Sequence, residues 1–137
     1  MNKIKVILDT NLWISYLISK RLIALDNFFE NEKIVLVFSE ALLEEFIEVA
    51  KRPKFKKYFS SKDLENLLIY FSAFGILVEV QSNILLCRDP KDNFLLSLSK
   101  DAEADYLITG DADLLTVGKF ENTTILTYMD FILLKLF

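Results

Sequence analysis

The sequence predicts an α/β fold in which a central parallel sheet of about five strands carries helices on both faces. Three observations carry that reading. Short apolar, β-branched runs alternate along the chain with stretches whose apolar residues recur at helical spacing, the order that builds strand-helix-strand crossovers. The runs Val6-Ile7-Leu8 and Ile34-Val35-Leu36-Val37-Phe38 lack the polar alternation of a half-exposed strand, so both faces of the sheet need cover. A chain of 137 residues that is 53% hydrophobic, with 12 Phe, is expected to form one domain over 1–137 with an ample core.

Residues 3–8 read as the first strand, ending on Asp9, and a helix follows over 11–18 that Thr10 or Asn11 would cap. Leu22, Ile23, Leu25, Phe28 and Phe29 have helical spacing and predict a second helix over 22–29. The run at 34–38 is the second strand. Ser39 caps the next helix, Glu40 offsets its dipole, and Pro53 stops it near Lys51. Along that helix Leu42, Leu43, Phe46, Ile47, Val49 and Ala50 form the apolar stripe, with Glu44 and Glu48 opposite. Glu45 breaks the pattern, because it falls on the edge of the stripe where core meets water.

Ser60-Ser61-Lys62-Asp63 reads as a capping box for a helix whose stripe is Leu64, Leu67, Leu68, Phe71 and Phe74, ended by Gly75. A third strand is expected over 76–80. Asp89-Pro90-Lys91-Asp92 combines an N-cap, a proline at the first helical position and a first-turn acid, opening a helix over 91–100. The fourth strand, at 106–109, is broken by Gly110. A single helical turn over 111–115, a fifth strand over 123–127 and a closing helix over 129–137 complete the chain.

Composition narrows the chemistry. With no histidine and one cysteine, Ser-His-Asp and Cys-His catalysis and zinc sites of thiolate and imidazole are excluded. Any metal must be bound by oxygen, which favours Mg²⁺, Mn²⁺ or Ca²⁺. Cys87 follows Ile84-Leu85-Leu86 and reads as a core filler, and a lone cysteine agrees with a reducing compartment. No segment reaches the roughly 18 consecutive apolar residues of a membrane span, and no signal peptide is legible, so a cytoplasmic location is expected. The net charge of −4 disfavours phosphate binding by the chain as a whole. The charge is uneven, however: five of the 16 basic residues, Lys51, Arg52, Lys54, Lys56 and Lys57, lie together beside Phe55, Tyr58 and Phe59. That cluster is either an RNA contact, with phosphates on the cations and bases on the rings, or a solvated connector.

Strand ends of one parallel sheet lie side by side, so Asp9, Asp111 and Glu45, the last on the helix launched from the second strand, are expected at one crevice. Asp92 joins them if the helix after Pro90 starts there; alone, it reads rather as part of the helix start. Carboxylates so crowded repel and raise one another's pKa unless a cation lies among them. Phosphodiester hydrolysis uses that arrangement, because metal ions polarise phosphoryl oxygens and activate water without any histidine.

Taken together, these residues resemble the PIN-domain family, whose best-known members are the VapC-like toxins of bacterial toxin–antitoxin pairs. Ile7-Leu8-Asp9-Thr10-Asn11 is similar to its opening motif, and Ser39 with Glu45 to its second. Arg88-Asp89-Pro90-Lys91-Asp92-Asn93-Phe94-Leu95 and the stretch from Ala104 through Thr109-Gly110-Asp111-Ala112-Asp113 to Leu115 resemble its third and fourth. The resemblance implies a PIN-like three-layer sandwich and a Mg²⁺- or Mn²⁺-dependent endoribonuclease acting on single-stranded RNA. Asp9, Glu45, Asp92 and Asp111 would be its catalytic, metal-binding acids. Asp113 would be either an auxiliary acid or a helix cap, and Thr10, Asn11 and Thr109 would orient the carboxylates. Gly110 departs from the pattern of many family toxins, which carry a basic residue there. A cognate antitoxin or a homo-oligomer is the implied partner. Phe131, Ile132, Leu133, Leu134, Leu136 and Phe137 would either be covered by it or complete the core. Two rivals stand beside this reading: a catalytically silent PIN-like module that binds RNA or protein, and a haloacid-dehalogenase-like phosphotransfer enzyme. The latter wants a second Asp two positions after the first, where Asn11 stands.

Overall fold

In the computed structural model the chain is described over residues 3–19 and 33–134. Strands β1 (Ile4–Leu8), β2 (Ile34–Phe38), β3 (Gly75–Leu77), β4 (Tyr106–Ile108), β5 (Lys119–Phe120) and β6 (Thr123–Leu126) form one sheet in the order β3-β2-β1-β4-β6-β5. All neighbours are parallel except β5, which pairs antiparallel with β6. The helices are α1 (Thr10–Ser19), α2 (Glu40–Ala50), α3 (Ser61–Phe74), α4 (Pro90–Ala102), α5 (Ala112–Val117) and α6 (Tyr128–Leu133), with a short 3₁₀ turn at Pro53–Phe55. Winding runs outward from β1 through β2 to β3, then restarts on the other side of β1 with β4. Right-handed crossovers therefore place α1 to α3 on one face and α4 and α5 on the other.

The expected α/β sheet is present, with one strand more than expected. β5 is two residues long and returns into β6 through Glu121, whose φ of 53° is left-handed. Two residues carry no periodicity, so the sequence does not announce the strand. Gly75 begins β3 directly instead of merely ending α3, and β3 stops at Leu77, short of the expected 80. The Val78 amide still donates to the Phe38 carbonyl at 2.8 Å, but the amides of Gln81 and Ser82 donate to Asp101 on α4, drawing the chain off the sheet. The capping box is formed in both directions: the Asp63 amide donates to Ser60 Oγ and the Ser60 amide to Asp63 Oδ2, each at 3.1 Å. The helix expected over 22–29 lies outside the described residues, as do residues 135–137 of the closing helix.

Val6, Ile7, Leu107 and Ile108 are fully buried, consecutive along their strands, as a sheet covered on both faces requires. Among the described residues, Trp13, Phe46 and Phe131 are the largest fully buried side chains. Phe131 packs edge-on against Tyr106 with ring centroids 5.3 Å apart, so this terminal residue completes the core, while Met129, Leu133 and Leu134 remain exposed. Each such large apolar burial contributes about 1.5–3 kcal/mol.

Candidate metal centre

Reversal of winding between β1 and β4 leaves a crevice at the carboxyl ends of these two strands, the usual ligand position in open α/β sheets. They run in register, Leu8 beside Ile108, so Asp9 and Thr109 leave the sheet together. The Thr109 hydroxyl donates to Asp9 Oδ2 and accepts from the Asp111 amide at 3.0 Å, tying both strand ends to one buried oxygen. Asp9 Oδ1 accepts the Leu12 amide at 2.9 Å, so Asp9 itself, not Thr10 or Asn11, caps α1. Asp111 repeats the device: its Oδ1 accepts the amides of Asp113 at 2.8 Å and Leu114 at 3.1 Å and caps α5. Asp113 is therefore not the cap. It lies in the first turn and meets exposed Arg88 at 3.4 Å, a surface pair that adds little stability.

The other acids arrive on helices. Ser39 leaves β2 and caps α2 by accepting the Leu42 amide at 3.1 Å, which sets the phase of the helix. Leu42, Phe46 and Val49 then face the core and Glu44 and Glu48 face water, while Glu45 is half-buried between them. Glu45 Oε1 lies 3.6 Å from Lys91 Nζ. Asp89 caps α4 through the Lys91 amide at 2.9 Å, with Pro90 at the first position, and this start delivers Asp92 inward. Asp92 is 5% exposed, and its Oδ2 is buried with no hydrogen-bond partner. The segment leading into α4 is stitched along one face of that helix. Asp101 takes the Gln81 and Ser82 amides, Ser97 Oγ takes the Ile84 amide at 3.0 Å, and Asn93 holds both backbone groups of Cys87. The 93, 97, 101 spacing of polar residues is one residue per turn, a legible signal that a polar strap covers that face.

Asp9, Glu45, Asp92 and Asp111 all line one cleft of about 470 Å³, together with Arg52 and Lys91. Within this setting a tighter trio forms. One carboxylate oxygen from each of Asp92, Asp111 and Asp113 lies within 4.8 Å of the others; Asp9 and Glu45 face the cleft but are not members. Burial first, then the charges of Asp111, Asp89 and Asp113, push the Asp92 carboxyl from its ordinary 3.8 up to about 6. Burial also raises Asp9, opposed by the hydrogen bonds from Thr109 and Leu12. A buried, unpartnered carboxylate oxygen among neighbouring acids could hold a cation, and an all-oxygen donor set suits a hard one such as Mg²⁺ or Mn²⁺.

The remaining expected residues separate. Thr109 orients the Asp9 carboxylate and holds the Asp111 backbone amide, whereas the Thr10 hydroxyl is buried without a partner and Asn11 is exposed on the cleft wall. Lys51, Arg52, Lys54, Lys56 and Lys57 are all exposed. Of these five, Arg52 lines the cleft; Lys54 and Lys57 lie 5.0 Å over the rings of Phe55 and Tyr58. A Cβ on Gly110 would meet nothing within 4 Å, so the cleft is open where a side chain would stand. Burial pushes the Cys87 thiol up, away from a nucleophilic role. Among the described residues, no helix is long and apolar enough to cross a membrane.

Three comparisons place this arrangement among known proteins. The signature of the PIN domain matches residues 5–113. The uncharacterized protein MJ1680 of Methanocaldococcus jannaschii is 36% identical over 119 residues, covering 84% of this chain and 76% of that protein. PAE2754 from Pyrobaculum aerophilum superposes with a TM-score of 0.58 at 12% identity, covering 96% of this chain and 90% of the other. VapBC2 from Rickettsia felis, solved bound to a DNA fragment from its promoter, gives 0.58 at 13% identity over 89% and 97%. At such low identity these two structures show a shared fold. The motif order, the sheet with its acid-lined crevice and the match over most of the chain agree: this chain belongs to the PIN-domain family.

Proposed function

We propose that this protein is a Mg²⁺- or Mn²⁺-dependent endoribonuclease that cleaves single-stranded RNA, and that it is the toxin of a toxin–antitoxin pair. The observation that carries the nuclease reading is Asp92, buried with a free carboxylate oxygen beside Asp111 and Asp113 in a cleft also lined by Asp9 and Glu45. Asp92 and Asp111 would hold the ion, with Asp9, Glu45 and Asp113 around them. When bound, the ion supplies a Lewis acid for the phosphoryl oxygen and a lowered pKa for a water nucleophile.

The chain's own residues do the rest. Thr109 holds the Asp9 carboxylate and the Asp111 backbone amide through one hydroxyl. Arg52 stands at the cleft wall as a guanidinium for a phosphate, and the exposed basic segment that follows extends the track for a single strand, with Phe55 and Tyr58 beside its lysines. A phospho-acceptor role for Asp9 is poorly served, since one oxygen caps α1 and the other accepts from Thr109. For a protein partner, a groove of about 670 Å³ is available. Val78, Val80, Ile84, exposed Leu85 and exposed Phe94 supply its apolar wall.

The test is cleavage of a labelled unstructured RNA with Mn²⁺, with Asp92→Asn and Asp9→Asn beside the parent. The metal's contribution is several kcal/mol of transition-state stabilisation, so each variant should lose about 10³-fold in rate, and EDTA should abolish cleavage by the parent. Variants that cut as fast as the parent would sink the assignment.

A further inference from the structure

We infer that the groove between α2, the strap over 78–86 and α4 docks a cationic amphipathic segment of a protein partner, with apolar side chains against Leu85 and Phe94 and a Lys or Arg against Glu44 and Glu79. This names the chemistry of the partner for which the groove is available, and it rests on no step of the nuclease reading. The groove is separate from the acidic cleft. On α2, Glu44 lines the groove and Glu45 the cleft; on α4, Asn93 lines the groove and Asp92 the cleft. The two helices therefore present one site on each side.

Two kinds of surface are left free there. Leu85 is 79% exposed and Phe94 52%, and Val78, Val80 and Ile84 line the same groove. Exposed large apolar side chains gathered on one groove mark an interaction site, and an aromatic among them is a favoured interface residue. The polar side chains beside them are mostly committed within the chain: Ser39 accepts the Leu42 amide, Ser82 donates to Asp101, Ser97 takes the Ile84 amide and Asn93 holds Cys87. What remains is acidic. Glu40, Glu44 and Glu79 line the groove and are exposed, no described Lys or Arg lines it, and none of the three forms an ion pair with a described residue. An apolar groove edged by one sign of charge is complementary to a segment that is apolar on one face and basic beside it. A second copy in a two-fold contact would set the same three acids against themselves, and RNA phosphates would meet the same repulsion. The acids thus select a cationic protein segment.

The experiment selects peptides on the whole chain from a random library displayed on phage; enriched sequences are resynthesised with a fluorophore and their affinities measured by anisotropy. They should carry Lys or Arg among Leu, Ile or Phe, and added salt should weaken their binding. Glu44→Lys combined with Glu79→Lys should lower affinity by about tenfold or more, and Phe94→Ser by about as much, the scale of a lost interface anchor or reversed charge contact. Glu48→Lys combined with Glu65→Lys makes the same change of net charge at exposed positions outside the groove and should leave affinity within about twofold. No enrichment, enriched peptides without basic residues, or peptides that bind the groove variants as tightly as the parent would overturn the inference. So would a dimer in sedimentation that Leu85→Ser and Phe94→Ser break apart, since a second copy would then cover the groove. Peptide binding needs neither metal nor RNA, so a failure here and a failure of cleavage are read separately.

Discussion

Asp9 and Asp111, at the ends of β1 and β4, each give a carboxylate oxygen to backbone amides and thereby start a helix. Asp92 and Glu45, carried on α4 and α2, are held otherwise: Asp92 keeps a buried oxygen with no partner, and Glu45 faces the Lys91 ammonium. The strand-end acids therefore serve the fold as helix caps while lining the proposed metal centre. Of the helix-borne acids, Asp92 burdens the metal-free fold once ionised, whereas Glu45 has a cation beside it. In a single cleft, hydrogen bonds offset part of the cost of burying Asp9, while neighbouring carboxylates add to the cost of burying Asp92.

Substituting one acid from each wall should separate these roles. Asp9→Ala removes the α1 cap, worth about 1 kcal/mol, and leaves the buried Thr109 hydroxyl without its acceptor, a further 1–3 kcal/mol or so. Relief of the buried charge offsets part of this, because the hydrogen bonds to Asp9 already oppose the upward push of burial. The net expectation in EDTA at pH 7 is a loss of about 1–3 kcal/mol. Asp92→Asn should do the reverse. A carboxyl raised from 3.8 to about 6 destabilises the folded metal-free chain by about 3 kcal/mol once ionised, so its neutral analogue should melt several degrees higher. Thermal melts of both variants decide the matter, and shifts in the same direction would erase the distinction between the two walls.

The same shift sets a pH dependence. Asp92's folded pKa lies above its unfolded value, so its contribution to stability is fully present below about pH 4 and is lost as pH rises through about 6. Metal-free parent should therefore lose melting temperature between about pH 4 and 7 beyond whatever Asp92→Asn loses over that range. Saturating Mn²⁺ should reverse the loss at pH 7, because a ligand that binds only the folded state stabilises it. Parallel curves for parent and variant would show that Asp92 is not the group responsible.

How much of the fold and the cleft is legible in the sequence depends on the range of the interaction. The buried strands β1 and β2, the Ser39 cap, the Ser60–Asp63 box and the Asp89-Pro90 helix start are local, and local chemistry shows in consecutive residues. Glu45 is legible as an anomaly of helical phase. Asp9 as a cap is hidden because Thr10 and Asn11, equally good caps, stand directly after it. The Thr109 bridge joins residues 100 positions apart, and the Glu45–Lys91 pair depends on how α2 and α4 meet; neither has a local signal. β5 is too short to show a period, and its pairing is decided by β6.

The smallest effect comes from two threonines that look alike in sequence, each within two residues of an acid that lines the cleft and each buried. Thr109 uses its hydroxyl twice, donating to Asp9 and accepting from the Asp111 amide, so Thr109→Val should lower cleavage about 10- to 100-fold, as removal of an orienting partner does. It should also cost about 1–2 kcal/mol, because a buried amide and a carboxylate lose their shared partner. Thr10 has no partner for its hydroxyl, so Thr10→Val exchanges an unsatisfied polar atom for a methyl and should leave stability unchanged or slightly improved, within about 1 kcal/mol. Cleavage rates and thermal melts of the two variants, measured side by side, separate the roles of the two hydroxyls. Should Thr10→Val slow cleavage as much as Thr109→Val while leaving the fold intact, the Thr10 hydroxyl serves the bound RNA or the metal's water, and the strand-end wall has a working group that the carboxylates alone do not account for.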